Sequence, residues 1–443
     1  MKERHELMKK LLDNANIPAL SLSWCQKGTQ YALAHGTTDT TAPNPVDTNT
    51  LFQAASLSKP VSAAIVLDLV DQGTWDLDTP LADIADYGPP ELRQDPHYRT
   101  LTTRMVIGQC SGLANYGQDG DDGTKFIAIP NTRFTYSGVA LDFLKQVIEK
   151  KTGKEWEEIA QDFFKKAGMK SSTFQRQLPG GNLHDAHRDI AKAHMADPHP
   201  DGPLTPLSPL PDDGRGILAG SMLTTAEDYT TFLQHCFKNK YLNSTLLEGD
   251  LSKLPPTSSP EASRIKWGLG MGVYSEGDPT KPEKTIAFHW GNNTGSISFC
   301  AMDMETGDCV VSFANSMNGP TVFQQVAEPI AGDINPLFQW LSKYCNFNDV
   351  NRPEKPDAIA AMVHSIHLLT TDVESQKPTD SMQKMMLLMP STSKPGLKPV
   401  ESQEQTVTVK TTSPQEIVEE GDEKQKSEVL NPTPFSISPA PYK

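Results

Sequence analysis

The spacing of apolar and polar positions divides the chain into stretches of different period. Leu7, Met8, Leu11 and Leu12 recur at helical spacing within residues 1–16, which predicts an amphipathic helix. Residues 18–25 then alternate apolar with small polar side chains. A Lys27-Gly28 turn leads to a second run from Tyr31 to Ala34, and together these predict an antiparallel hairpin. Late in the chain, residues 296–302 and 309–314 flank Met304-Glu305-Thr306-Gly307, a second hairpin signal. Two strand regions so far apart in sequence predict one sheet built from both flanks.

Between the flanks the period becomes helical. Tyr229, Phe232, Leu233, Cys236 and Phe237 share one helical face behind a Thr225 cap, with Asp228 three residues on. Val139 to Lys151 predicts a helix ending at Gly153. Trp156, Ile159, Ala160, Phe163 and Phe164 predict another ending at Gly168. The expected fold class is therefore mixed α/β (α+β). Residues 1–50 and 265–345 form an antiparallel sheet flanked by helices, and a mainly helical region, 51–264, is inserted between them.

After residue 345 the composition turns to Pro, Ser, Thr, Glu, Gln and Lys, too little apolar surface to offset chain entropy. The expected organisation is one domain over 1–345 and a mostly disordered tail over 346–443. Two apolar islands interrupt the tail. One is 358–369, with Ile359, Met362, Val363 and Ile366 on one helical face, and the other is Met385 to Met389. Either would suit docking on the domain or binding a protein partner.

Net charge and cysteine usage then narrow the function classes. Lys plus Arg total 40 against 55 Asp plus Glu, a formal charge of −15. That balance opposes attraction to nucleic acid or an anionic membrane, and neither is an expected partner. No apolar run has the length of a secretory signal core or a membrane span, so a protein that is cytoplasmic as synthesised is expected. Six cysteines without a CxxC pair predict reduced thiols, and Cys110 reads as packing. His184, Asp185, His187, His194, Asp197 and His199 resemble a zinc ligand set in composition. They run into a Pro-Asp-Gly-Pro loop, and no metal or other cofactor is expected.

The chemistry concentrates in Phe52-Gln-Ala-Ala-Ser-Leu-Ser-Lys-Pro60. An apolar helical run follows to Gly73, so Ser56 falls at or near a helix N-terminus and Lys59, three residues on, shares its face. An amine there can take the hydroxyl proton of a serine nucleophile, and the helix N-terminus favours charge developing on an attacked carbonyl. Ser-x-x-Lys alone is also met as a capping serine with an exposed lysine.

Two further segments give the motif its context. Ala55-Ser56-Leu57-Ser58-Lys59-Pro60 resembles the nucleophile segment of class C β-lactamases and their esterase and D-amino-acid peptidase relatives, within the larger serine β-lactamase and penicillin-binding-protein group. Tyr136-Ser137-Gly138 resembles the second element of that group, Tyr-x-Asn. His289-Trp290-Gly291-Asn292-Asn293 resembles the third, Lys-Thr-Gly, with His in place of Lys. Leu69 to Gly73, Leu77 to Pro80, Ser111-Gly112-Leu113, Gly168-Met169 and residues 219–225 fit the same group outside the active centre.

The resemblance implies Ser56 as nucleophile and Lys59 and Tyr136 as its activators, with Tyr136 as general base or sharing that role. It also implies the backbone N–H of Asn292 paired with that of Ser56 as oxyanion hole, Gly291 admitting substrate to the backbone, and His289 orienting or polarising it. The expected substrate is a small molecule or peptide-like. Gly138 replaces the motif Asn, which removes an amide grip and is expected to leave space. Gln109 stands where many relatives carry His. Gly138, and His289 in place of a permanently charged Lys, favour esters; β-lactam or D-Ala-D-Ala cleavage is the alternative, and Gly138 with Gln109 keeps open a binding protein that has lost turnover. The acidic block Glu419 to Glu423 before the C-terminus resembles type IV effector translocation signals, which would imply an export partner for the tail.

Overall fold

The computed structural model describes residues 2–116, 125–175, 190–195, 204–207, 217–239, 260–278, 281–345, 347 and 361–365. Seven strands form one antiparallel sheet: β1 (Ala19–Gln26), β2 (Thr29–Gly36), β3 (Ile265–Trp267), β4 (Gly272–Asp278), β5 (Lys281–Asn292), β6 (Ile297–Asp303) and β7 (Cys309–Ala314). Their order is β2-β1-β7-β6-β5-β4-β3, so the hairpin from the start of the chain pairs directly with the last strand. Leu20 faces Ala314 and Cys25 faces Cys309 across that seam. The sheet expected from both flanks is thus observed. Its first turn uses Lys27 and Gly28, both at positive φ (51° and 78°), the twist that a two-residue hairpin loop requires.

Every residue of β6 and β7 is buried. A strand buried at successive positions has both faces covered, which explains why these stretches are rich in apolar and small residues and do not alternate strictly. The described residues include seven helices of eleven or more residues: α1 (Lys2–Ala15), α2 (Ser58–Asp71), α3 (Gly138–Thr152), α4 (Trp156–Ala167), α5 (Ala226–Lys238), α6 (Pro320–Ala331) and α7 (Asn335–Cys345). Helix α5 packs on β1, β2 and β7, and α6 on β6 and β7. The apolar face foreseen for α1 is buried at Leu7, Met8, Leu11 and Leu12.

Helix α2 is buried without a break from Ser58 to Asp68, as expected of a central helix enclosed by others. Helix α5 starts at the foreseen cap, with Thr225 Oγ1 accepting from the Asp228 N–H at 3.1 Å. The Asp228 carboxylate does not return to the cap. It accepts from the N–H groups of Lys170 and Ser171 (3.0 and 2.7 Å) and from Ser172 Oγ (2.8 Å), tying the end of α4 to α5.

All six cysteines are free. No helix of the described residues is long and apolar enough to cross a membrane. Of the histidine-rich segment only His194 is described. It is fully buried, its Nδ1 donates to the Asn315 carbonyl (3.0 Å) and its Nε2 accepts from the Thr40 N–H (3.2 Å), so both ring nitrogens are engaged. Most of 346–443 lies outside the described residues. Within the first apolar island, residues 361–365 are helical, Met362 and Val363 are buried, and the Asn14 side chain of α1 approaches Met362 Sδ at 4.0 Å.

Candidate active site

The three motif segments converge where α2 and α3 meet strand β5. Ser56 sits in a single 3-10 turn, Ala55–Leu57, that runs straight into α2. Ala55, just before it, is held at φ +49°, a conformation that costs a non-glycine residue energy and persists only where the surroundings impose it. Those surroundings are visible. Ser298 Oγ donates to the Ala54 carbonyl (2.7 Å), Ser58 Oγ donates to the Ala55 carbonyl (2.6 Å), and the buried Tyr229 hydroxyl donates to the Leu57 carbonyl (2.9 Å). Gly291 lies on the strand facing this turn. A Cβ there would fall 2.7 Å from the Ala54 carbonyl oxygen and 2.3 Å from Ser298 Oγ, so glycine allows the strand to close on the Ser56 turn.

Lys59 returns beneath Ser56 as the three-residue spacing requires. Its Nζ is 2.9 Å from Ser56 Oγ and donates to the Ala219 carbonyl at 2.8 Å. The side chain is buried, and burial brings its pKa down to about 7, against the opposing pull of the Asp142 carboxylate. A lysine so placed is an available base at neutral pH.

Tyr136 stands beside this pair, with Lys59 Nζ 4.7 Å from the centre of its ring. Burial drives its phenol well above the ordinary value, and only the neighbouring Ser56 counters this. Its hydroxyl is buried and makes no well-formed hydrogen bond among the described residues, Ser56 being the neighbour that favours its anion. Such burial favours the protonated phenol and opposes the tyrosinate that the resemblance implies, since any stabilisation by Lys59 has desolvation to overcome.

His289 is fully buried on β5, two residues before Gly291 and on the same face. Its Nδ1 donates to the Trp290 carbonyl at 2.7 Å, and its Nε2 has no partner among the described residues. Burial, reinforced by the charge of Lys59, pulls its pKa down to about 3. Both the burial and the Nδ1 bond to the Trp290 carbonyl favour a neutral imidazole with Nε2 as an acceptor. Asn292 is exposed at the end of β5, and its Oδ1 accepts from the Thr294 N–H at 2.9 Å.

Gly138 opens α3, and the space expected beside it is filled. A Cβ at 138 would fall 2.5 Å from Tyr116 Cε2 and 2.9 Å from Ala219 Cβ. The loop after Leu113 returns over this position and carries Asn115, whose Oδ1 accepts from the Gly138 N–H at 2.8 Å.

Three contributors were not singled out from sequence. Gln109, read there only as a departure from His, sits at φ +54° and spans the Tyr136 backbone: its carbonyl accepts from Thr135 N–H (2.6 Å) and its Oε1 from Ser137 N–H (2.7 Å). Residues 217–222, which overlap the 219–225 stretch expected outside the active centre, supply the Ala219 carbonyl to Lys59. They are pinned by Ser62 Oγ donating to Leu218 O (2.9 Å) and by the Met222 N–H donating to Ser58 Oγ (3.1 Å). Asn293 braces the same loop through Gly220.

A serine in contact with a buried lysine, beside a phenol and a close-approaching glycine strand, is the constellation of a serine acyl-transfer hydrolase. The family model described as Beta-lactamase matches residues 5–331, and the chain belongs to that family. It is 26% identical over 233 residues to penicillin-binding protein 4 of Amycolatopsis lactamdurans, covering 49% of this chain and 58% of that protein, so it spans little more than half the length of that curated relative. Among solved structures it is similar to the octameric penicillin-binding protein homologue from Pyrococcus abyssi (TM-score 0.57, 19% identity, 72% of this chain and 74% of that one). It is also similar to the D-amino acid amidase from Ochrobactrum anthropi SV3 (TM-score 0.53, 20% identity, 82% and 99%). These likenesses show a β-lactamase/transpeptidase-like fold.

Proposed function

We propose that this chain hydrolyses esters, and amides less readily, through an acyl-enzyme on Ser56. The observation that carries the reading is the 2.9 Å contact between Ser56 Oγ and a buried Lys59 amine. Lys59 takes the hydroxyl proton as Ser56 Oγ bonds to the substrate carbonyl carbon. The backbone N–H groups of Ser56 and Asn292 receive the oxyanion. Tyr136, which keeps its proton, hands it to the leaving alcohol or amine as the carbonyl–heteroatom bond breaks, and recovers one from Lys59. Water then attacks the acyl group by the reverse relay.

Ester preference rests on two positions. Gly138 carries no amide to grip a peptide or β-lactam amide, and His289 carries no charge to attract a substrate carboxylate. The substrate expected is a small or peptide-like acyl compound. Incubation with a fluorophosphonate and intact-mass analysis should place one phosphonyl group on Ser56, and Ser56→Ala should abolish both labelling and turnover. Labelling elsewhere overturns the mechanism. Higher kcat/KM for nitrocefin or a D-Ala-D-Ala peptide than for a short p-nitrophenyl ester overturns the substrate class only.

A further inference from the structure

Helix α3 buries Val139, Ala140, Leu141, Phe143 and Leu144, yet carries a carboxylate among them, Asp142, one turn after Gly138. A carboxylate removed from water costs free energy unless its oxygens find partners. One oxygen of Asp142 accepts from the Tyr116 hydroxyl, the other, Oδ1, is buried without a well-formed hydrogen bond among the described residues, and the Leu218 N–H lies close enough to favour the ionised carboxylate. The Tyr116 ring occupies the place that a side chain on residue 138 would take, against Ala219, whose carbonyl holds Lys59 Nζ. Asp142, Tyr116, Gly138, Ala219 and Lys59 therefore form one contiguous packed set. Its first two members have no part in the mechanism above.

We propose that Asp142, braced by the Tyr116 hydroxyl, is a positioning residue for Lys59, the pair standing in for a side chain at 138 and supplying the buried negative charge against which the lysine works. This rests on the reading of Ser56 and Lys59 given above. The charged and titratable groups around the set are Lys59 from α2, Tyr116 from the loop, Lys145 from α3 itself, and Tyr136 and His289 on the far side of Lys59. Burial pushes the Asp142 carboxyl up to about 6 even though the Tyr116 hydroxyl, Lys145, Lys59 and the Leu218 N–H all favour its ionised form. Asp142 in turn is the charge that opposes the desolvation of Lys59. Tyr116, whose phenol is driven well above its ordinary value, stays a donor throughout. A purely structural hydrogen bond to Tyr116 would be kept by Asn at 142; the charge would not.

The test is the titration of Lys59 in the full-length protein, followed by NMR on lysine-labelled samples and assigned by the signal lost in Lys59→Arg. In Asp142→Asn the Lys59 midpoint should fall by about one pH unit, because the ammonium loses its counter-charge. The rising limb of fluorophosphonate labelling should move to lower pH by the same amount. Tyr116→Phe should shift both in the same direction by less, since Asp142 without its donor is protonated at higher pH. A midpoint unmoved in folded Asp142→Asn overturns the proposal. If that variant does not fold, an unmoved midpoint in Tyr116→Phe does so instead. A wild type that takes no label overturns the Ser56 reading, while the Lys59 titration still decides the role of Asp142.

Discussion

The side-chain amide of Asn293 donates to the Gly220 carbonyl at 2.9 Å and to Gln53 Oε1 at 3.3 Å. Gly220 follows Ala219, the residue that holds Lys59, so the end of β5 steadies the loop on which the lysine depends. Asn293→Ala removes these bonds from a partly exposed site. Fluorophosphonate labelling of Ser56 should slow about five- to tenfold, as expected for one or two net hydrogen bonds. The thermal midpoint should hardly change. An unchanged labelling rate would mean that Ser62 and Ser58 hold the loop without Asn293.

Lys59 can take the Ser56 proton only as a free amine. With its pKa brought down to about 7, labelling should rise as pH increases towards about 7 and level off above it. Rates still climbing well into the alkaline range would place the amine near its ordinary 10.5 and sink this assignment. Lys59→Arg, charged at all these pH values, should lower the rate about a hundredfold or more. Stability carries the same signature. Between about 7 and 10.5 the unfolded lysine binds a proton that the folded one does not, so this group favours the fold increasingly as pH rises through that window.

Gly138→Asn would, on sequence alone, restore the amide of the Tyr-x-Asn element. The structure predicts the reverse of a gain, because the new Cβ meets the Tyr116 ring at 2.5 Å, and that ring is held by its bond to Asp142. Overpacking of this kind costs about 1–3 kcal/mol. Both Gly138→Ala and Gly138→Asn should lower the thermal midpoint by several degrees. Wild-type melting of either would show that Tyr116 yields easily.

Met362 and Val363 are buried, at 3% and 6% exposure. A chain stopped after Gln376 keeps them, whereas one stopped after Val350 loses them. The shorter chain should melt on the order of 5–10 °C below the longer one, given the free energy of burying two apolar side chains and the size of the domain. Equal melting curves would make this helix a bystander.

What was legible from the sequence is what depends on short spacing. The Ser56 and Lys59 pair follows from helical geometry, and the hairpins follow from alternation around turn residues. The misread positions depend on segments that return from elsewhere. Nothing near Gly138 announces that Tyr116 will cover it, since the covering loop is positioned by α3 itself through Asn115 and Asp142. Asn293 stood inside the quoted third segment, but its partner Gly220 is 73 residues away in sequence. The burial that opposes a tyrosinate at Tyr136 is hidden for a related reason: residue type and neighbours are visible in the sequence, and the extent of burial is not. Gln109 did leave a signal, a change at a position noted for its usual His.

The Ala19 N–H donates to the Asn315 side chain across a sequence separation of 296 residues, beside the seam where β1 and β7 join. Ribosomes add about 5–20 residues per second, so β1 waits roughly 15–60 s for its partner strand. Until then the leading hairpin has an unpaired edge, and Gly291 and Ser298 are not yet there to clamp the Ser56 turn. Nascent chains therefore carry Ser56 long before its turn is clamped, and labelling at Ser56 is expected only once the strands that hold that turn have left the exit tunnel.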